Sequence, residues 1–154
     1  MLSLAGFALA EAVSRVCDRG ANVTLFPFMI TDHAGTRALS DYSSGTTTEI
    51  ARRAKSDRDE MSAAGKEWAF VHDVEMPESG ASADARTAIV VDFQAPWMIA
   101  PASIVQRYES PSPNMRALVL GSPSIGSSAR APSPTPELPA PPPVDSVRCT
   151  HPGP

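Results

Sequence analysis

Aromatic residues are missing from the C-terminal segment of this chain. All nine lie between Phe7 and Tyr108, whereas Gly121 to Pro154 holds ten of the sixteen prolines and only four charged residues. A segment so poor in large apolar side chains buries too little surface to offset the entropy lost on ordering. Residues 121–154 are therefore expected to form a disordered Pro/Ser-rich tail, and residues 1–120 one small domain. Within the tail, Pro132 to Pro136 and Pro139 to Pro143 favour an extended polyproline conformation. Pro136 and Pro139 have P-x-x-P spacing, although spacers share this composition.

Cysteine is scarce as well. Cys17 and Cys149 alone do not make a disulfide framework, so free thiols in a reducing, cytoplasmic compartment are the expectation. No apolar run approaches the roughly 18 residues a membrane helix needs. Leu2 to Ala10 is mostly apolar and Ala8-Leu9-Ala10 imitates a signal-peptidase site, but no Lys or Arg precedes the stretch. It also continues into an amphipathic pattern, so a helix is expected there. Lysine is nearly absent, two against eleven arginines, which suits a GC-rich and hence bacterial coding background.

A basic stripe is missing too. The net charge is −4, and the segment up to residue 120 holds eleven Lys and Arg against fifteen Asp and Glu. That balance disfavours nucleic acid as a partner. The local cluster Arg52, Arg53, Lys55 and Arg58 reads as a solvated helix face. The phosphate-binding, dinucleotide-binding, zinc-protease and paired C-x-x-C signatures are absent, as is a G-x-S-x-G elbow. No cofactor and no metal-ligand set is expected from these residues.

What is present suggests an α+β domain. Leu9, Val13, Val16 and Cys17 recur at helical spacing ahead of Gly20, predicting a helix from about Ser3 to Arg19. Asn22 to Thr31 and Arg37 to Tyr42, separated by Asp32-His33-Ala34-Gly35, predict a hairpin, with Pro27 pointing to an edge strand or bulge. Thr46 and Glu49 have capping-box spacing at the head of a second helix that stops near Gly65. Strict alternation from Glu67 to Met76 predicts a strand buried on one side, with Trp68, Phe70, His72, Val74 and Met76 on one face. After a loop from Pro77 to Asp84, Arg86 to Gln94 predicts a central strand, followed by strands at Ser103–Tyr108 and Met115–Leu120 around a turn at Ser110–Asn114. The order α-β-β-α-β-β-β-β predicts a mostly antiparallel sheet with both helices on one face.

Few residues carry chemistry. Gln106, Arg107 and Tyr108 combine an amide, a guanidinium and a phenol that together suit a carboxylate or phosphate, with Asp92 as an inward partner for Arg107. As strand residues, Gln106 and Tyr108 share one face and Arg107 takes the other. His72 is expected to be a buried imidazole with a hydrogen-bond partner, His33 a turn residue, and His151 lies in the tail. Cys17 reads as an ordinary core thiol. Trp97 and Met98, between Pro96 and Pro101, offer an apolar contact site in a loop. The expected function is a small, non-catalytic binding protein with a protein partner. The competing expectation is a small-molecule- or metal-dependent enzyme or ligand sensor using Arg107, Asp92 and a histidine.

Overall fold

Alanines decide how the first helix meets the rest of the protein. In the computed structural model, which describes residues 4–18, 25–76, 87–109, 117–127 and 147–148, helix α1 spans Leu4–Asp18 and buries Leu4, Ala5, Ala8, Ala12 and Val16. The buried stripe is thus rotated from the one built on Leu9 and Val13, which pack only partly buried against the core. With methyl groups at its centre, the helix axis approaches the sheet closely. Residues 4–10 belong to this core helix, as the amphipathic pattern implied.

Strands β1 (Phe28–His33) and β2 (Thr36–Asp41) form the predicted hairpin around Ala34 and Gly35. Both turn residues have positive φ, 51° and 82°, the mirror-image turn that matches strand twist. Asp32 Oδ1 accepts the Gly35 N–H at 2.9 Å, so turn chemistry accounts for this segment, and His33 is exposed. Pro27 lies just before β1, which is flanked by β2 and β3 and is no edge strand. Helix α2 (Thr47–Ala63) opens with the complete capping box of Thr46 and Glu49. Then follow β3 (Glu67–Glu75), β4 (Thr87–Gln94), β5 (Ala102–Glu109), β6 (Leu118–Ser127) and the two-residue β7 (Val147–Arg148). All neighbours are antiparallel, in the order β2-β1-β3-β4-β5-β6-β7. The α+β class and the element order agree with the sequence pattern.

Two features depart from it. First, the helices lie on opposite faces of the sheet. Phe28, Ile30, Ala69, Val71, Ile89 and Val91 pack with α1, while Met29, Trp68 and Phe70 pack with Ala54 of α2 and with Tyr42. Alternation in β3 therefore separates two cores rather than core from solvent. Second, β6 runs past Leu120 to Ser127 and pairs with β7, so residues 121–127 and 147–148 belong to the sheet. The rest of the expected tail, with His151, lies outside the described residues, as do the loop Pro77–Asp84, the turn Ser110–Asn114 and the helix stop at Gly20.

Cys17 is disulfide-bonded, which corrects the expectation of free thiols. The chain's other cysteine, Cys149, follows β7 directly in sequence and lies outside the described residues.

Ala12 is fully buried where α1 meets the sheet. Ala12→Leu should therefore destabilise the fold by about 1–3 kcal/mol through overpacking, read as a lower urea midpoint at unchanged slope.

Candidate functional site

On the α2 side, a groove of about 410 Å³ lies between the helix, strands β3 and β4 and the end of the β4–β5 loop, lined by Lys55, Arg58, Asp59, Ser62, Trp68, Asp92, Gln94 and Pro101. Its helical wall follows from spacing. Residues 55, 58, 59 and 62 stand three or four apart and so share one helix face. Trp68, Asp92 and Gln94 reach the same side because their strand neighbours Ala69, Val91 and Phe93 turn to the α1 core.

Asp92 organises this groove. Its Oδ1 accepts the Ser103 hydroxyl at 2.6 Å, and its Oδ2 lies 3.4 Å from both Arg58 Nη1 and His72 Nε2. Burial pushes the carboxyl up, but the hydrogen bonds from His72 and Ser103, with the charge of Arg58, leave it below the usual carboxylate range. Arg58 also stacks over Phe70 at 4.8 Å, and Phe70 in turn stacks on His72 at 5.4 Å. Beside them Trp68 Nε1 donates to Ser62 Oγ at 2.9 Å, and Ser62 donates to Gln94 Oε1 at 2.8 Å. Tyr42 closes the aromatic row, its hydroxyl donating to Asp57 Oδ2 at 2.6 Å. Burial, reinforced by that carboxylate, holds the phenol well above its ordinary value.

This is not the geometry of an activated nucleophile. There the imidazole stands between hydroxyl and carboxylate and takes the proton. Here the carboxylate stands in the middle, and the serine proton is directed at a group too weakly basic to remove it. No group of three or more His, Cys, Asp and Glu placed to hold a metal occurs among the described residues. The arrangement fixes these side chains in place.

The residues singled out in the sequence do not converge. Asp92 is in the groove, but Arg107 is exposed and stands opposite Ala88 in the register, so the Asp92–Arg107 pair is replaced by Asp92 with Arg58, His72 and Ser103. Tyr108 is buried in the α1 core. Gln106, 3% exposed, donates to the carbonyls of Leu120 and Gly121 at 2.9 and 3.3 Å. Those carbonyls belong to a bulge, since the two steps from Val105 to Arg107 face the four from Leu120 to Ser124, with Gly121 at φ +64°. The amide is thus occupied with backbone that the sheet leaves unpaired. His72 has the partner expected of it, Asp92, but is half-buried rather than buried. Arg58, Ser62, Gln94 and Ser103 were not anticipated. The helical spacing of 55, 58 and 62 was the available signal for the first two.

The β4–β5 loop forms one end of the groove, between Gln94 and Pro101. It is a fixed turn: Met98 N donates to Ala95 O at 2.9 Å, and Ala95 N donates back to Met98 Sδ at 3.3 Å. Pro96 restricts the first central position. Met98 consequently folds inward, Trp97 stands 83% exposed, and Ile99 is fully exposed. The exposed pair is Trp97 and Ile99 rather than Trp97 and Met98.

No protein-family model, curated protein or solved structure matches this chain.

Two outcomes follow. The depressed Asp92 carboxyl contributes stability that is complete above its unfolded value of about 3.9 and is lost as pH falls through its lower folded value. Urea unfolding from pH 6 to pH 2 should show this loss in the native protein, and Asp92→Asn should lack that component and be less stable at neutral pH. Gln106→Ala should cost about 1–3 kcal/mol by leaving buried carbonyls without a donor. Arg107→Ala should fall within about 0.5 kcal/mol of the native chain in the same assay.

Proposed function

We propose that this chain is a non-catalytic binding protein that recognises a protein partner through the Trp97–Ile99 turn and the adjoining α2 groove. The observation that carries the reading is a large aromatic and a β-branched side chain held in solvent by a turn with two internal hydrogen bonds. Leaving such groups in water forgoes their burial energy, and a preformed turn lowers the ordering entropy that binding costs. Tryptophan is also the side chain most enriched among residues that dominate interface energies. The groove beside it supplies a polar rim of Lys55, Asp59 and Gln94 around the indole of Trp68. The enzyme alternative draws no support from the Asp92 cluster, whose proton-transfer order is wrong for nucleophile activation.

A reducing cytoplasm was expected on two grounds, free thiols and an apolar N-terminus that reads as a helix rather than a signal sequence, and the first of these concerns the cysteines. The bonded Cys17 removes that ground, and persistence of the bond suits an oxidising compartment.

A photo-crosslinking amino acid placed at position 97, at 99, and at the exposed α2 residue Ser56 tests the reading in cells of the source organism. Discrete adducts at 97 and 99, absent at 56 and diminished for the 99 probe by Trp97→Ala, are the expected result. Adducts of equal yield at all three positions, or none at 97 and 99, would sink it.

A further inference from the structure

Among the described residues, strand β2 pairs only with β1, and all six of its residues are exposed. Such an edge offers unpaired N–H and C=O groups to another strand. Natural edges are usually blunted by proline, a bulge or inward charge. Thr36-Arg37-Ala38-Leu39-Ser40-Asp41 contains no proline and pairs with β1 in unbroken register, and its two charges, Arg37 and Asp41, each already face an opposite charge, Asp32 and Arg15. The hairpin fixes which groups point outward. Its turn has two residues, so His33 and Thr36 form the hydrogen-bonded closing pair, and bonded and non-bonded pairs alternate from there. Arg37, Leu39 and Asp41 therefore direct their backbone N–H and C=O away from β1.

These same three residues share the α1 face, because they stand opposite Asp32, Ile30 and Phe28, and Ile30 and Phe28 pack with α1. Leu39 is 44% exposed there. We propose that β2 is a homodimer interface, in which two copies pair antiparallel about a two-fold axis through Leu39. In that register Leu39 meets Leu39 of the second copy, and Arg37 of each chain stands directly opposite Asp41 of the other. Residues so placed interact directly across strands. A two-fold interface must be self-complementary, and this short sequence is so in both charge and apolarity.

The surrounding charges extend the match. Arg15 of α1 bonds Asp41 at 2.8 Å, and Arg37 lies 3.6 Å from Asp32. Pairing joins them into an alternating row, Arg15–Asp41 of one copy continuing into Arg37–Asp32 of the other. Shifting the register by two residues breaks both the row and the leucine contact. Shifting it by one sets outward groups against residues whose N–H and C=O already bond β1.

Sedimentation equilibrium of the full chain, from micromolar to near-millimolar concentration, tests the proposal. The expected result is a concentration-dependent approach to twice the 16.2 kDa monomer mass. Leu39→Lys, which sets two ammonium groups across the axis, should hold the chain at monomer mass while keeping its circular-dichroism spectrum. Register is read separately. Opposed α-carbons in a bonded antiparallel pair lie about 5.5 Å apart, within disulfide reach, so Leu39→Cys should oxidise to a covalent dimer. Arg37→Cys should not do so alone, but should when mixed with Asp41→Cys. A chain that stays monomeric throughout, a dimer indifferent to Leu39→Lys, or equal cross-linking of Arg37→Cys and Leu39→Cys would each overturn the proposal.

Discussion

Strand β3 separates two cores, and the rest of the molecule is arranged around that separation. Its odd-numbered residues Ala69 and Val71 are small enough to admit a close alanine-faced helix, while Trp68 and Phe70 extend to the other side. The second helix cannot approach closely over rings of that size. It stands off, burying only Ala54, and the space left between helix and sheet becomes the groove. The groove is thus a result of side-chain volume on one strand. Replacing the aromatics by smaller residues would remove its floor and the stacking surface of Arg58 together.

Polar groups in that space are satisfied by one another. A carboxylate on β4 would be costly to bury without compensation, and it is met by a guanidinium from α2, an imidazole from β3 and a hydroxyl from β5. These come from three separate elements, so the cluster also ties helix to sheet. No buried side-chain nitrogen or oxygen among the described residues is left without a partner. With its buried polar atoms all partnered, the cluster is held in a fixed arrangement.

Local signals in the sequence were reliable where one segment determines the outcome. The capping box at Thr46 and Glu49, the Asp-His-Ala-Gly turn, and the alternation from Glu67 onward all depend on neighbours within a few residues. Tertiary choices were less legible. Alternation in β3 says that two faces differ, and both large aromatics and small aliphatics are compatible with burial, so it could not show that both are covered. The role of Gln106 was hidden because it depends on a bulge in a strand fourteen residues away. Arg58 looked like surface charge since its partner Asp92 is distant in sequence, and periodicity carries no information about such pairs. Trp97 and Met98 behaved differently because a backbone–sulfur hydrogen bond, invisible to composition, turns Met98 inward.

The bulge at Gly121 to Pro123 matters beyond the amide it engages. It interrupts β6, the next-to-last strand on that side of the sheet, and Pro123 has no N–H to offer an incoming strand. The two rims of the sheet are therefore unequal: the β2 rim is regular and able to template, and the β6–β7 rim is broken. A sheet able to grow from both rims would be the repeating unit of a fibre. With one rim obstructed, lateral growth has a built-in terminus, and the pairing proposed for the other rim would close as a finite pair.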